Sequence, residues 1–335
     1  MLRRAIKISA VLSLAMALIA PSTLAATSSS PAQANGLKIS PVRTELSIAP
    51  GQSKTVPIYI TNPTKNPIQL QVFINDFTAK GDNGSPQLIL NTPSNYPHGL
   101  SSFVAPIKNV SLLPYQTATV NVLITIPQDT SGGGYYAAVR FAPVSSTSSQ
   151  SLTLTANIAS LILVSVPGPG LNEQLNIASF KVEGNKGGFS RLFFSRNGLK
   201  AVVKFTNSGN VQEQPFGKIV VQSGSKTILT QAINNSASPG SVLPDSSRYF
   251  SVPVSHLNWF GEYKVSGYFG YGNSGRLLSA SVTIYVIEGW FIVAVVSALV
   301  LIGVIIWLLV RRKLHKYHNA QTASLISDNR TTLGP

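Results

Sequence analysis

The 335-residue chain contains no cysteine. No disulfide can staple it, no thiol can act as nucleophile or soft-metal ligand, and no cysteine near the N-terminus can carry a lipid. Acids are almost as scarce: Asp and Glu total 11, and Glu288 and Asp328 are the last two of them. General acid–base chemistry needs clustered carboxylates, and the linear sequence displays no such pair. Of the four histidines, His98 and His256 precede Glu288, far apart and outside any HExxH pattern. GxSxG is absent too. We therefore expect no enzyme, no metal and no cofactor. The formal charge of +15 is spread along the chain without the basic block that a nucleic-acid groove would use, so no nucleic-acid partner is expected.

What the chain does have is one uncharged run. Trp290 to Val310 reads WFIVAVVSALVLIGVIIWLLV. As a helix rising about 1.5 Å per residue it would measure about 31 Å, the thickness of a hydrocarbon core. Trp290 and Trp307 lie near its ends, and Arg311, Arg312 and Lys313 follow, the arrangement of interfacial rings and a cytoplasmic cationic cluster. The expectation is a membrane anchor over 288–310 and a cytoplasmic tail over 311–335, without regular structure beyond Lys316. At the other end, residues 1–25 carry a basic start, a short apolar stretch and small residues at Thr23 and Ala25, the pattern of a secretory signal. Residues 26–35 form a polar spacer.

From Gly36 the apolar period is two. Val56, Ile58 and Ile60; Ile68, Leu70, Val72 and Ile74; and Ala118 through Ile126 each give one face to bury, with Pro-, Gly- and Asn-rich turns between them. Short strands with turn signals about every ten residues predict an all-β chain. We read a β-sandwich over 36–166, a Pro-Gly-Pro-Gly linker over 167–170 and a second sandwich over 171–287, both immunoglobulin-like, before the transmembrane helix.

An internal repeat supports the tandem. Ile60-Thr61-Asn62-Pro63 answers to Phe205-Thr206-Asn207-Ser208, Leu113-Pro114 to Leu243-Pro244, and Gly134-Tyr135 to Glu262-Tyr263 at the start of a late strand. A tyrosine in that place fits a corner in which its hydroxyl ties back to the backbone. The first half is longer between these landmarks, and Ala79–Ser102 absorbs the surplus. That polar loop supplies the candidate ligand contacts Asp82, Asn83, Tyr96 and His98. Trp259 is a further candidate, as a ring that could stack on sugar. Gly270 to Gly275 matches GxGxxG, but a strand rather than a helix follows, so it reads as a hairpin turn.

The stretches LKISPVRTELSIAPGQSKTVPIYITNPTKNPIQLQVFI and LPYQTATVNVLITIPQDTSGGGYYAAVRF, in the order signal, sandwich, sandwich, membrane helix, basic tail, resemble the WxL-interacting surface proteins of Gram-positive bacteria. The resemblance implies a first domain associated with peptidoglycan and a second with a protein partner. The first sandwich is also similar to that of periplasmic pilus chaperones, which add a strand to an incomplete partner. There Arg43, in PVRTEL, stands in a place like their carboxylate-binding arginine; the other reading is a solvated strand residue. The expectation is a non-catalytic protein of the bacterial cytoplasmic membrane, single-pass with its sandwiches outside, engaging wall polymer or a surface protein. The alternative is a chaperone or scaffold for a secreted or pilus-type partner.

Overall fold

The computed structural model describes residues 36–90, 96–144, 158–185 and 191–331. The expected signal segment and spacer, and the first part of the strand read from Leu152, lie outside the described residues. Residues 37–335 group as one compact unit. Among the described residues the chain is mostly strand, with one long helix at the C-terminal end.

The N-terminal half holds two sheets. One has the order β1 (Lys38–Ser40), β3 (Ser53–Thr61), β7 (Thr117–Thr125). The other runs β2 (Arg43–Ser47), β9 (Ile158–Val166), β8 (Gly133–Pro143), β4 (Ile68–Lys80), β5 (Ser85–Ile89), with β6 (Val110–Leu112) also on β4. The chain changes sheet between β1 and β2, where the Ser40–Pro41 peptide is cis. The alternating residues behave as the period of two requires. Val56, Ile58 and Ile60 of β3 and Val120, Val122 and Ile124 of β7 meet Leu70, Val139, Phe141, Ile162 and Val164 in one core.

The C-terminal half repeats the plan. A sheet of β10 (Leu175–Glu183), β12 (Leu199–Asn207) and β15 (Ser247–Val254) faces one of β11 (Leu192–Phe193), β17 (Arg276–Ile287), β16 (Phe260–Tyr271), β13 (Phe216–Ser223) and β14 (Lys226–Ile233). Val203, Phe205, Val221, Val265, Phe269 and Ile284 lie in its core. The GxGxxG run is the hairpin turn between β16 and β17, with Gly272 and Gly275 at positive φ.

The landmarks of the repeat are structurally equivalent. Asn62 is fully buried and donates to the carbonyls of Asn66 (2.8 Å) and Leu113 (3.0 Å) while accepting from the Thr64 amide (3.0 Å). Asn207, equally buried, donates to Val211 (2.7 Å) and Val242 (2.8 Å) and accepts from Gly209 (2.9 Å). The Leu-Pro turns agree too, with Tyr115 and Asp245 both at positive φ. Each tyrosine corner closes. The Tyr135 hydroxyl donates to the Ser131 carbonyl (2.9 Å), and the Tyr263 hydroxyl accepts from the Asn258 amide (2.8 Å).

After Ile287 the helix α1 (Gly289–Thr331) begins at once, and its stretch Gly289–Lys313 is long and apolar enough to cross a membrane. The tail expected to lack regular structure continues α1 as far as Thr331. The physical reason is the absence of a breaker: no Gly or Pro occurs between Gly303 and Gly334.

Replacing either buried asparagine by alanine removes three side-chain hydrogen bonds that close its turn. Asn62→Ala and Asn207→Ala are each expected to cost on the order of 3 kcal/mol in chemical denaturation. An effect below about 0.5 kcal/mol, the range of ordinary surface substitutions, would show that these turns do not hold their sheets.

Candidate functional site

Both faces of β8 are buried, which an isolated sandwich with a solvated outer face does not require. The outward residues Tyr136 and Ala138 join Phe77 and Leu163 in a second apolar cluster, and the C-terminal half inserts Leu243 into it. Polar contacts surround this joint. The Asn210 side chain donates to the carbonyls of Gly132 (3.0 Å) and Gly170 (2.7 Å), and the Gly134 amide donates to the Asn210 carbonyl (2.7 Å). Gln212 accepts from the Tyr136 hydroxyl (3.0 Å) and donates to Ser165 (2.8 Å). A Cβ on Gly132 would stand 2.6 Å from the Gly168 carbonyl oxygen and 2.8 Å from the Leu171 nitrogen, so the connection passes this close only because residue 132 is glycine.

Beside the joint the two halves enclose a cleft of about 860 Å³. Arg43, Asp82 and Asn83, three of the candidates, line it together with Lys80, Arg248 and Tyr249. Arg43 is not a solvated strand residue. It donates from Nη1 to the Pro239 carbonyl (2.8 Å) and from Nη2 to Ser241 Oγ (2.6 Å), and it pairs with Glu45. Desolvation, and then the neighbouring Arg248, hold its pKa below the usual guanidinium value; burial does the same to Arg248. Both stay charged at any physiological pH, so the lowering reports two cations held against solvation and against each other. Arg248 donates to the Ser241 carbonyl (3.1 Å) and lies 5.4 Å from the centre of the Phe250 ring. Asp82, at the tip of the β4–β5 hairpin, reaches across: its carboxylate meets Lys204 Nζ (2.8 Å) and its carbonyl accepts from the Tyr249 amide (2.8 Å).

The other candidates go elsewhere. Tyr96 and His98 fold onto the outer face of β8, with His98 Nδ1 2.8 Å from the Gly134 carbonyl and its ring 5.9 Å from that of Tyr136. Buried Asp76 fixes this loop by accepting from the amides of Leu100 (2.8 Å) and Ser101 (2.7 Å) and from Ser101 Oγ (2.7 Å). Trp259 lies at the far end of the C-terminal half, its ring 4.6 Å from Phe291 of α1. Among the described residues no group of three or more His, Cys, Asp or Glu could hold a metal ion.

Sequence reading missed Arg248 and Lys80, which reach the cleft only through the contact between the β4–β5 hairpin and β15. It also missed Glu213. This residue is 3% exposed, its backbone pairs with Val242, and its Oε1 has no partner among the described residues. Burial, and then Glu173, raise its pKa from 4.5 to about 7, against opposing pulls from the Gly272 backbone and Arg276.

No family model and no curated protein matches this sequence. Solved structures do show a likeness. The chain is 12% identical to the Escherichia coli chaperone DraB, covering 74% of this chain and 98% of that one at a TM-score of 0.33. For the Pseudomonas aeruginosa CupB2 chaperone the identity is 11%, the coverage 73% and 98%, and the TM-score 0.31. For the CsuC–CsuE chaperone–tip adhesin complex of Acinetobacter baumannii the values are 12%, 74% and 98%, and 0.33. At these values no residue's role carries over.

The raised carboxyl at the joint gives a signed prediction. A carboxyl that holds its proton more tightly when folded weakens the protein progressively as pH climbs from 4.5 to about 7, and fully above that. Glu213→Gln is therefore expected to match the parent below pH 4.5 and to be about 1–3 kcal/mol more stable at pH 8. Denaturation curves giving the same difference at pH 4.5 and pH 8 would contradict this.

Proposed function

We propose that the chain is a non-catalytic, membrane-anchored binding protein of the chaperone or scaffold type. Its two sheet pairs act as tandem immunoglobulin-like sandwiches. Their cleft receives an extended segment of a secreted or surface protein by strand addition, with an anionic group of that segment against Arg43 and Arg248. Helix α1 spans the membrane once, with Arg311, Arg312 and Lys313 on the cytoplasmic side and the cleft outside.

One observation carries this reading: the two guanidiniums face a cleft bordered by two terminal strands. Among the described residues β5 and β15 are each last in their sheets, and Ser85 of one and Tyr249 to Ser251 of the other line the cleft. Beyond the Tyr249 amide, which Asp82 takes, a terminal strand offers amides and carbonyls to an incoming chain, and Arg248, engaged through Nη1, offers its remaining N–H groups to a carboxylate. The wall-polymer reading finds less support. The ring expected to stack on sugar, that of Trp259, lies against Trp290 and Phe291 of this chain, and the loop candidate Tyr96 lies against His98.

A photo-crosslinking side chain at Ser251 in the native membrane is expected to capture one protein in stoichiometric amount, and one at Tyr59, on the exposed face of β3, is not. Arg43→Ala combined with Arg248→Ala should weaken that capture at least about tenfold, the effect of losing charge-assisted hydrogen bonds. Retention on insoluble peptidoglycan that is unchanged by the double variant, with no protein captured at Ser251, would overturn the reading in favour of wall polymer.

A further inference from the structure

The end of the C-terminal sheet pair that meets α1 carries a ring cluster that the cleft does not use. Trp259 and Phe260 come from the segment entering β16, and Phe194 follows β11; they are 43%, 57% and 58% exposed. Trp290 and Phe291 open α1. Trp259 lies 5.6 Å from Trp290 and 4.6 Å from Phe291, and Phe260 lies 6.1 Å from Phe291, centre to centre.

Polar groups at this end are satisfied inward. The Glu288 amide donates to the Trp259 carbonyl (2.8 Å), and the Gly289 amide donates to the Phe194 carbonyl (3.1 Å). The Glu288 carboxylate accepts from the Arg196 amide (3.0 Å) and pairs with its guanidinium (3.5 Å), which also donates to the Leu257 carbonyl (3.3 Å). The rings of Trp259, Phe260 and Phe194 face outward here, beside the exposed polar residues Ser195, Asn197 and Asn258.

We propose that this end is a docking surface for the lipid headgroup layer. In this arrangement Trp259, Phe260 and Phe194 enter the interface at the depth of Trp290 and hold the C-terminal sheet pair at a fixed tilt on the bilayer. The inference rests on the reading that α1 spans a membrane. The occupant follows from continuity. None of the apolar stretch Gly289–Lys313 is buried by protein, so its solvent is acyl chain, and the loop rings adjoin its first turn with only Glu288 between β17 and α1. Indole and phenyl rings favour that depth, where one edge meets hydrocarbon and the other meets water. Trp307 lies 17 residues further on, about 26 Å along the helix, which places it at the opposite interface. The Arg311 guanidinium stands 5.3 Å from its ring centre, as a cation at the headgroup level would.

The chain has three tryptophans, 259, 290 and 307, so two conservative pairs of substitutions isolate the rings that matter. Full-length Trp290→Phe/Trp307→Phe keeps Trp259, and Trp259→Phe/Trp290→Phe keeps Trp307. Each is reconstituted in phosphatidylcholine vesicles brominated near the top of the acyl chain, after its unfolding curve has been matched to the parent. Loss of emission from both rings, relative to unbrominated vesicles, supports the proposal. Loss from Trp307 alone would overturn it while leaving the membrane span intact, since the loop rings would then be covered by protein or water. Loss from neither would overturn both the span and the docking surface.

Discussion

The joint between the two sheet pairs is the contact on which the cleft depends. Leu243 enters an apolar cluster built on the outer face of β8, and Asn210 and Gln212 fasten its rim to Gly132, Gly170, Tyr136 and Ser165. A single buried leucine contributes roughly 1.5–3 kcal/mol by area, so the apolar part alone is modest. The hydrogen bonds add direction rather than bulk strength, since each nets only about 1 kcal/mol in exchange with water. Together they set which edges face each other. The Asp82–Lys204 pair across the cleft is partly exposed and screened, and serves better as a register mark than as a source of stability.

Burying Arg43 and Arg248 beside one another makes physical sense only where something outweighs their repulsion. Glu45 answers part of it, and the carbonyls of Pro239 and Ser241 answer more. The remaining positive charge faces the cleft together with Lys80, opposite the carboxylate of Asp82. Next to Gln212 of the joint, burial raises the pKa of the Glu213 carboxyl to about 7.

Much of the fold was legible because it follows from local pattern. The period of two in β3 and β7, the Asn62 and Asn207 turns, the Leu-Pro turns and the two tyrosine corners depend on residues near in sequence, and each does what its chemistry requires. The site was legible only in part. Arg43, Asp82 and Asn83 were found, but no local signal links them to Arg248, more than 160 residues away. The long loop misled for a related reason: Tyr96 and His98 look like exposed ligands in a polar stretch, yet Asp76 turns that stretch back onto β8. A ring on a loop and a ring in a core share the same letter. The run Gly132-Gly133-Gly134 could have given more, since consecutive glycines permit close backbone approach as well as turning, and close approach of the second half is what residue 132 accommodates.

The central claim is that the two halves are held as one body with the cleft at a set width. Because the chain has no cysteine, spin labels at Asn83→Cys and Ser236→Cys, both exposed and on opposite walls, would be the sole labels present. Pulsed electron–electron resonance between them is predicted to give one narrow distance population. Introducing Gly132→Ala should broaden or displace it. A broad or two-peaked distribution in the doubly labelled protein without that change would mean that the halves move independently and that no fixed cleft exists.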